Sequence, residues 1–473
     1  MKFTAAIAAA VLSGSAEAFW RMECRGRSGL ARIDPLVNPG VASAHAHTIF
    51  GSSGFTATSG TDELLAGDCT SCAVTQDKSA YWTPPMYFKN AATGQYKLVE
   101  QVGGMLSYYF LNYAPGETKI TAFPHGMEMI AGDTNQRNFT AGESAPTTQK
   151  GLAQKAVGFN CLNYGLAAEG SLYRHFMPDK AYLDANCKDG IRAELMFPSC
   201  WNGKDVTSKN KMDHVAYPST VMDGSCPPDF PIRLPGLFYE TIWNTAEFNG
   251  VDGEFVFSNG DPTGYGYHGD FIMGWEETFL QSAVDTCTNY SGRIEDCPLF
   301  TIQTEAKSQT CEIKKPTGLL ATVLSAEDLV GPIAGLPGGV KLTPGPGYVV
   351  KGAAPVSDAS TVVVPTLSHS AGSTIAPSAT AAPGGIFKEN NAAAAVAKVA
   401  SVTSVEAPAT TEKPTLSLAA NQKISKTSYL TQGGSVVEVI VIEEVTTVTD
   451  ELKTKTVTAE SRKRAHRHGR RHN

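Results

Sequence analysis

The sequence predicts a mainly β protein: a β-sandwich or jelly-roll-like single domain with long loops and one or two short helices, followed by a disordered tail. Three observations carry this. Short runs rich in aromatic and β-branched residues recur, separated by Gly, Pro, Asn and Asp. No strand–helix alternation and no internal repeat is evident. Composition also breaks near residue 313. All ten cysteines lie between Cys24 and Cys311 and all five tryptophans at or before Trp275, whereas only Tyr348, Phe387 and Tyr429 supply aromatic rings beyond Cys311. A stretch so poor in large apolar groups buries too little surface to offset the entropy of ordering it. A length of 473 residues would suggest about three domains; composition argues for one, at residues 19–312, with a tail at 313–473.

Residues 1–18 read as a signal peptide: Lys2, an apolar run (AAIAAAVL) and a small-x-small site at Ala16-Glu17-Ala18. That run is too short to span a bilayer, and no later stretch is apolar enough. Export makes disulfides the default state of an even set of cysteines. Cys200–Cys226 and Cys287–Cys297, close in sequence, are the expected pairs. Asn138-Phe-Thr and Asn289-Tyr-Ser are glycosylation sequons.

In chain order, a strand and loop lead to His45-Ala-His47, whose two imidazoles share a face if the backbone is extended. TDELLAG reads as a helical turn. The runs AYWTPPMYF, YKLVEQVGG, LSYYFLNY, KITAFP and GMEMIAG read as strands, residues 133–155 as a polar surface loop, and AVGFNCLNYG, SLYRHFMP and IRAELMFP as further strands. The segment ELMFPSCWNGKDVTSKNKMDHVAYPSTVMDGSCPPDFPIRLP, 194–235, is too often broken by Asn, Gly and Pro for a helix. Its Trp, ionisable residues and two cysteines argue for an ordered, functional loop system beside the core. GLFYETIWNT and GEFVFSNGD are two more strands, and 274–287 is the best helix, with Phe279, Leu280, Ala283 and Val284 at helical spacing. The tail resembles an O-glycosylated stalk. It carries a strand-prone patch at 436–449 and ends in the basic SRKRAHRHGRRHN, read as solvated or trimmed in preference to docked on anionic polymer.

Three constellations carry candidate chemistry. His45 and His47 are read as contacts to substrate. Ligation of a divalent metal is the alternative, with a third ligand from His125, His214, His268 or Asp270; no cofactor is assigned. In Gly264-Tyr-Gly-Tyr-His268-Gly-Asp270, His268 and Asp270 fall on one face if extended, and a carboxylate orienting an imidazole suits general acid–base work. In Asp213-His214-x-x-Tyr217, the His and Tyr would exchange protons, as a lyase on uronic-acid polymers requires. The catalytic candidates are therefore His268, His214 and Asp270. Substrate-binding candidates are His45, His47, Trp201, Tyr217 and Tyr267, the rings stacking on sugars, with Trp82, Tyr87 and Tyr265 as further aromatics. A glycosidase would need two carboxylates from Glu194, Asp205, Asp213, Glu240, Asp261 and Asp270. No GxSxG, Walker-type or dinucleotide motif is present, and the domain carries no basic aromatic module for nucleic acid.

The segments SAHAHTIFGSSGF, RAELMFPSCWNGKD, DHVAYPS, CPPDFPIRLPGLFYETIW and GDPTGYGYHGDFIMGW, in that order, resemble the fungal family named Domain of Unknown Function 1996 over residues 37–298. The resemblance implies a secreted fungal protein. Some members are joined to WSC wall-sugar-binding modules, and no such module is visible here. Together these readings lead to an expected monomer, extracellular or attached to the cell wall, that binds polysaccharide or wall glycan, with hydrolase or lyase cleavage left open. The rival expectation is a non-catalytic wall or adhesion protein displayed on a glycosylated stalk.

Overall fold

The computed structural model describes residues 18–113, 117, 119–140, 148–346, 348–349, 422–432 and 435–444. Residues 1–17 of the expected signal peptide and most of the expected tail lie outside these residues, and the last expected residue of that peptide, Ala18, opens a strand. The fold is mainly β, as composition and patterning predict. One five-stranded antiparallel sheet runs in the order Ala18–Cys24, Gln101–Leu111, Gly236–Trp243, Ile191–Met196, Val157–Cys161. A second runs Gly29–Ala31, His47–Gly51, Ala80–Thr83, His268–Ile272, Glu128–Gly132.

The two sheets pack face to face, because alternate residues on each are large and apolar. Phe50, Tyr81, Phe271 and Met129 of the second sheet share one buried cluster with Tyr109, Leu195, Leu237 and Tyr239 of the first. Tyr81 meets Tyr239 edge to face at 5.6 Å. The Tyr239 hydroxyl donates to the Asp270 carbonyl (3.0 Å). Gly269 sits at the closest approach: a Cβ there would lie 2.7 Å from Leu195 Cδ2.

The other face of the second sheet carries His47, Ile49, Trp82, His268, Asp270 and Ile272, by the same alternation. Two connecting segments cover it: the one between its first and second strands places Ile33 and Leu36, and the one between its second and third places Phe55 and Leu64, against Ile49, Trp82 and Ile272. The functional candidates on this face are thus under a lid of chain rather than in open solvent.

The 194–235 segment is an ordered loop system, as expected. It holds a small sheet of Cys200–Trp201 between Val215–Ala216 and Ile232–Arg233. Both expected disulfides, Cys200–Cys226 and Cys287–Cys297, are present, joined by Cys24–Cys72, Cys69–Cys311 and Cys161–Cys187. The expected helix is Glu277–Thr286, capped by the Glu276 side chain, with Leu280, Ala283 and Val284 buried.

Other expectations are corrected. KITAFP forms no strand; its backbone is satisfied instead by Arg233 and the Gln281 side chain, from Thr121 and Ala122. SLYRHFMP contributes only an isolated bridge between Arg174 and Phe159. The polar 133–155 stretch ends in a helix, Gln149–Lys155, whose N-cap Thr148 accepts from Gly151 N. A helix at Lys180–Asn186 follows the N-cap Asp179. Packing also continues past residue 312. Arg32 Nε donates to Glu327 Oε2 (2.8 Å), Tyr96 and Ile333 exchange backbone hydrogen bonds, and Arg137 Nε donates to the Thr343 carbonyl. In a separate unit, Gln422–Gln432 pairs antiparallel with Ser435–Glu444, so the strand-prone patch forms a strand as far as Glu444, and its remainder lies outside the described residues. No helix among the described residues is long and apolar enough to cross a membrane.

Candidate functional site: a buried histidine centre and a neighbouring cleft

His47 opens its strand, and His45 stands just before it in a bend. Their rings are neighbours at 4.4 Å between centroids, although only His47 is on the strand. Sheet pairing brings His268, 223 residues away in sequence, onto the same side: its Nε2 lies 3.0 Å from His45 Nε2. One ring nitrogen from each of the three histidines falls within 4.8 Å of the other two. All three are buried, at 9%, 0% and 4% exposure. Burial, with the neighbouring imidazoles, holds His45 well below the usual histidine range and His47 down to about 3, and burial holds His268 down to about 4. These rings are neutral at ordinary pH.

A second layer fixes the ring orientations. His47 Nδ1 meets the Ile33 carbonyl (3.1 Å) and His268 Nδ1 the Gly266 carbonyl (2.9 Å). Gly266 is held in turn by Asp261, whose carboxylate accepts from Gly266 N, Thr263 N and the Thr263 hydroxyl. Arg137 lies against Asp261 at 3.6 Å and donates to the Thr134, Gln136 and Asn259 carbonyls. Gly132, opposite His268, has φ +79°, and a side chain there would run into the backbone of Tyr267 and His268. Asp270 shares the face with His268 but is not part of the cluster. Burial and the nearby Asp34 carboxylate push it well above the usual carboxylate range, and its Oδ2 has no hydrogen-bond partner.

The other sequence candidates do not join this centre. His214 is 1% exposed and its Nδ1 meets the Ser208 hydroxyl (3.1 Å). Asp213 turns to Asn210 Nδ2 (2.8 Å). The Tyr217 hydroxyl donates to the Met196 carbonyl (2.9 Å), and burial pushes that phenol up. The expected His214–Tyr217 acid–base pair is therefore not assembled: each side chain of the motif is tied to a different partner. Tyr267, Trp82 and Tyr87 are fully buried, and Tyr267 pairs its hydroxyl with Thr241, so none presents a face for stacking. Trp201 is half-buried, with Nε1 donating to the Asp205 carbonyl. Of the carboxylates, Glu194 and Glu240 do meet across paired strands. Arg192 bridges them, Tyr108 donates to Glu240, and both are buried, which marks a structural ion cluster.

An open cleft of about 760 Å³ runs along the edge strand Glu128–Gly132. The residues lining it include Tyr217, Tyr265 and Tyr348, Gln136, Gln149 and Gln154, and Asp133 and Asp213. Gly132 and Asp133 connect it to the histidine centre, since Gly132 pairs with His268.

The comparison with known families is decided by one span. Residues 34–275, just over half of the 473-residue chain, match the model of the family described as a domain of unknown function, DUF1996. The chain belongs to that family. No curated protein and no solved structure matches it. The DUF1996 span contains His45, His47, His268 and the loop system, and ends before the Glu277–Thr286 helix. Sequence patterns missed Arg137 and the three glutamines of the cleft, and offered Asp261 only as a candidate glycosidase carboxylate, not as the residue that positions Gly266. The Asp261-Pro-Thr-Gly turn was the available signal, because an Asp that caps its own turn fixes the loop that follows.

Proposed function

We propose that this DUF1996 protein is exported and binds polysaccharide of the extracellular matrix or cell wall in the cleft beside the Glu128–Gly132 strand. The observation that carries this is the cleft's wall chemistry. Tyr265 and Tyr348 offer ring surface for the C–H faces of sugars, and Gln149, Gln154, Asp133 and Asp213 offer partners for hydroxyls. A volume of about 760 Å³ is in the range of ligand sites. Five disulfides support export, since such bonds persist in oxidising compartments. The acid–base roles first given to His268, His214 and Asp270 are not carried into this proposal, because none of the three lines the cleft and all are buried.

Retention on insoluble glucan, chitin and mannan, compared between wild type and Tyr265→Ala with Asp213→Asn, tests it. The expected result is retention on at least one polymer, weakened about tenfold or more in the variant. Equal retention by both proteins, or none on the whole panel, overturns it. New reducing ends or unsaturated products from the same incubations would add turnover; binding without them fits a display or adhesion role.

A further inference from the structure

We propose that His45, His47 and His268 together bind one divalent transition-metal ion of the zinc or copper class, each through one ring nitrogen. This does not rest on the cleft proposal.

Tautomers carry the argument. A carbonyl oxygen only accepts, so the contacts of His47 Nδ1 with the Ile33 carbonyl and His268 Nδ1 with the Gly266 carbonyl place a proton on each Nδ1. With both rings neutral, each Nε2 is left as a lone pair. The His47 lone pair is buried with no hydrogen-bond partner, and that of His268 faces His45 Nε2 at 3.0 Å. An unmet buried acceptor is destabilising, and a cation among the three nitrogens removes that cost. A single His45–His268 hydrogen bond, the alternative, leaves His47 Nε2 unmet.

The supporting layer is that of a metal site. Ligating histidines characteristically donate their other N–H to a carbonyl or carboxylate, which fixes the tautomer and aims the lone pair. Two of the three do so here. The donor set selects the ion: three neutral imidazoles suit zinc or copper, whereas calcium and magnesium require oxygen ligands. Every cysteine is committed to a disulfide, so no thiolate competes. Three protein ligands leave a coordination position for water or another small donor.

The test uses the full secreted chain, dialysed against metal-free buffer and loaded with Zn²⁺ or Cu²⁺ separately. Elemental analysis is expected to find a tightly held ion in wild type and its loss in His47→Gln and His268→Gln. The sequence also carries His466, His468 and His472 in its basic end, so a variant with all three changed to Gln is the control, and it is expected to keep the ion. Titration of that control with Co²⁺ reads the site without touching the centre: saturable visible bands of a four-coordinate nitrogen environment are expected, whatever the folding yield of the centre variants. Loss of the ion only in the basic-end control, equal retention in the centre variants, or no such bands would each overturn the proposal.

Discussion

Two histidine-bearing regions behave in opposite ways. In the 194–235 loop, Asp213, His214 and Tyr217 are almost adjacent in sequence, yet they point to Asn210, Ser208 and Met196 respectively. At the second sheet, His47 on its strand and His45 in the bend just before it are 221 and 223 residues from His268, yet the three rings cluster together. The difference is backbone regularity. Strand alternation and sheet order commit a side chain to a face and to neighbours. In an irregular loop each polar group finds the nearest partner that satisfies it.

His268→Ala is the severest test of this contrast. It opens a space in the buried face and strands His45 beside it, and about 3 kcal/mol of stability is expected to go. Denaturant unfolding measures this; a loss no larger than that of His214→Gln would erase the distinction between the regions. Next, Cys200→Ser with Cys226→Ser opens the loop region alone. Loss of such a bridge typically costs about 2–4 kcal/mol, with the ion content of the centre unchanged; altered ion content would mean the two regions are coupled.

Asp261→Asn is a subtler probe, because Asp261 positions Gly266, which positions His268. Ion affinity is expected to fall about tenfold while the fold persists, read by competition with a chelating dye. The smallest effect belongs to His214→Gln, at about 1 kcal/mol. It carries a pH signature. Burial lowers the His214 pKa from 6.5, so the folded state binds fewer protons than the unfolded chain once the pH drops into that range. Stability contributed by neutral His214 is therefore complete above the unfolded pKa and is lost as the pH falls through the folded one. His214→Gln should make the melting temperature less steeply dependent on pH below about 6.5, and an unchanged slope would refute the assignment.

Much of this fold was legible because local pattern and tertiary role agree. Phe271 and Asp270 alternate across the sheet as a strand demands, and Leu280, Ala283 and Val284 face inward as helical spacing demands. The histidine centre was half legible: the His45-Ala-His47 motif proposes a pair, and only sheet order selects His268 from four possible partners. The cleft was not legible. Gln149 and Gln154 belong to a stretch that reads as polar surface, and nothing local says that a helix turns them toward Tyr217. Burial misled in the opposite direction, since an aromatic such as Tyr267 has the same letter whether it stacks on a sugar or fills a core.

The Cys69–Cys311 bridge and the contacts of Glu327, Ile333 and Thr343 have a practical consequence for modularity. A recombinant fragment ending at residue 275, where the family match stops, would leave Cys69 a lone thiol and forfeit the Glu277–Thr286 helix. One ending at 312 would keep the bridge but strip the strap over Arg32, Tyr96 and Arg137. The smallest portable unit for fusion or display therefore extends to about residue 349, the last described position of that strap.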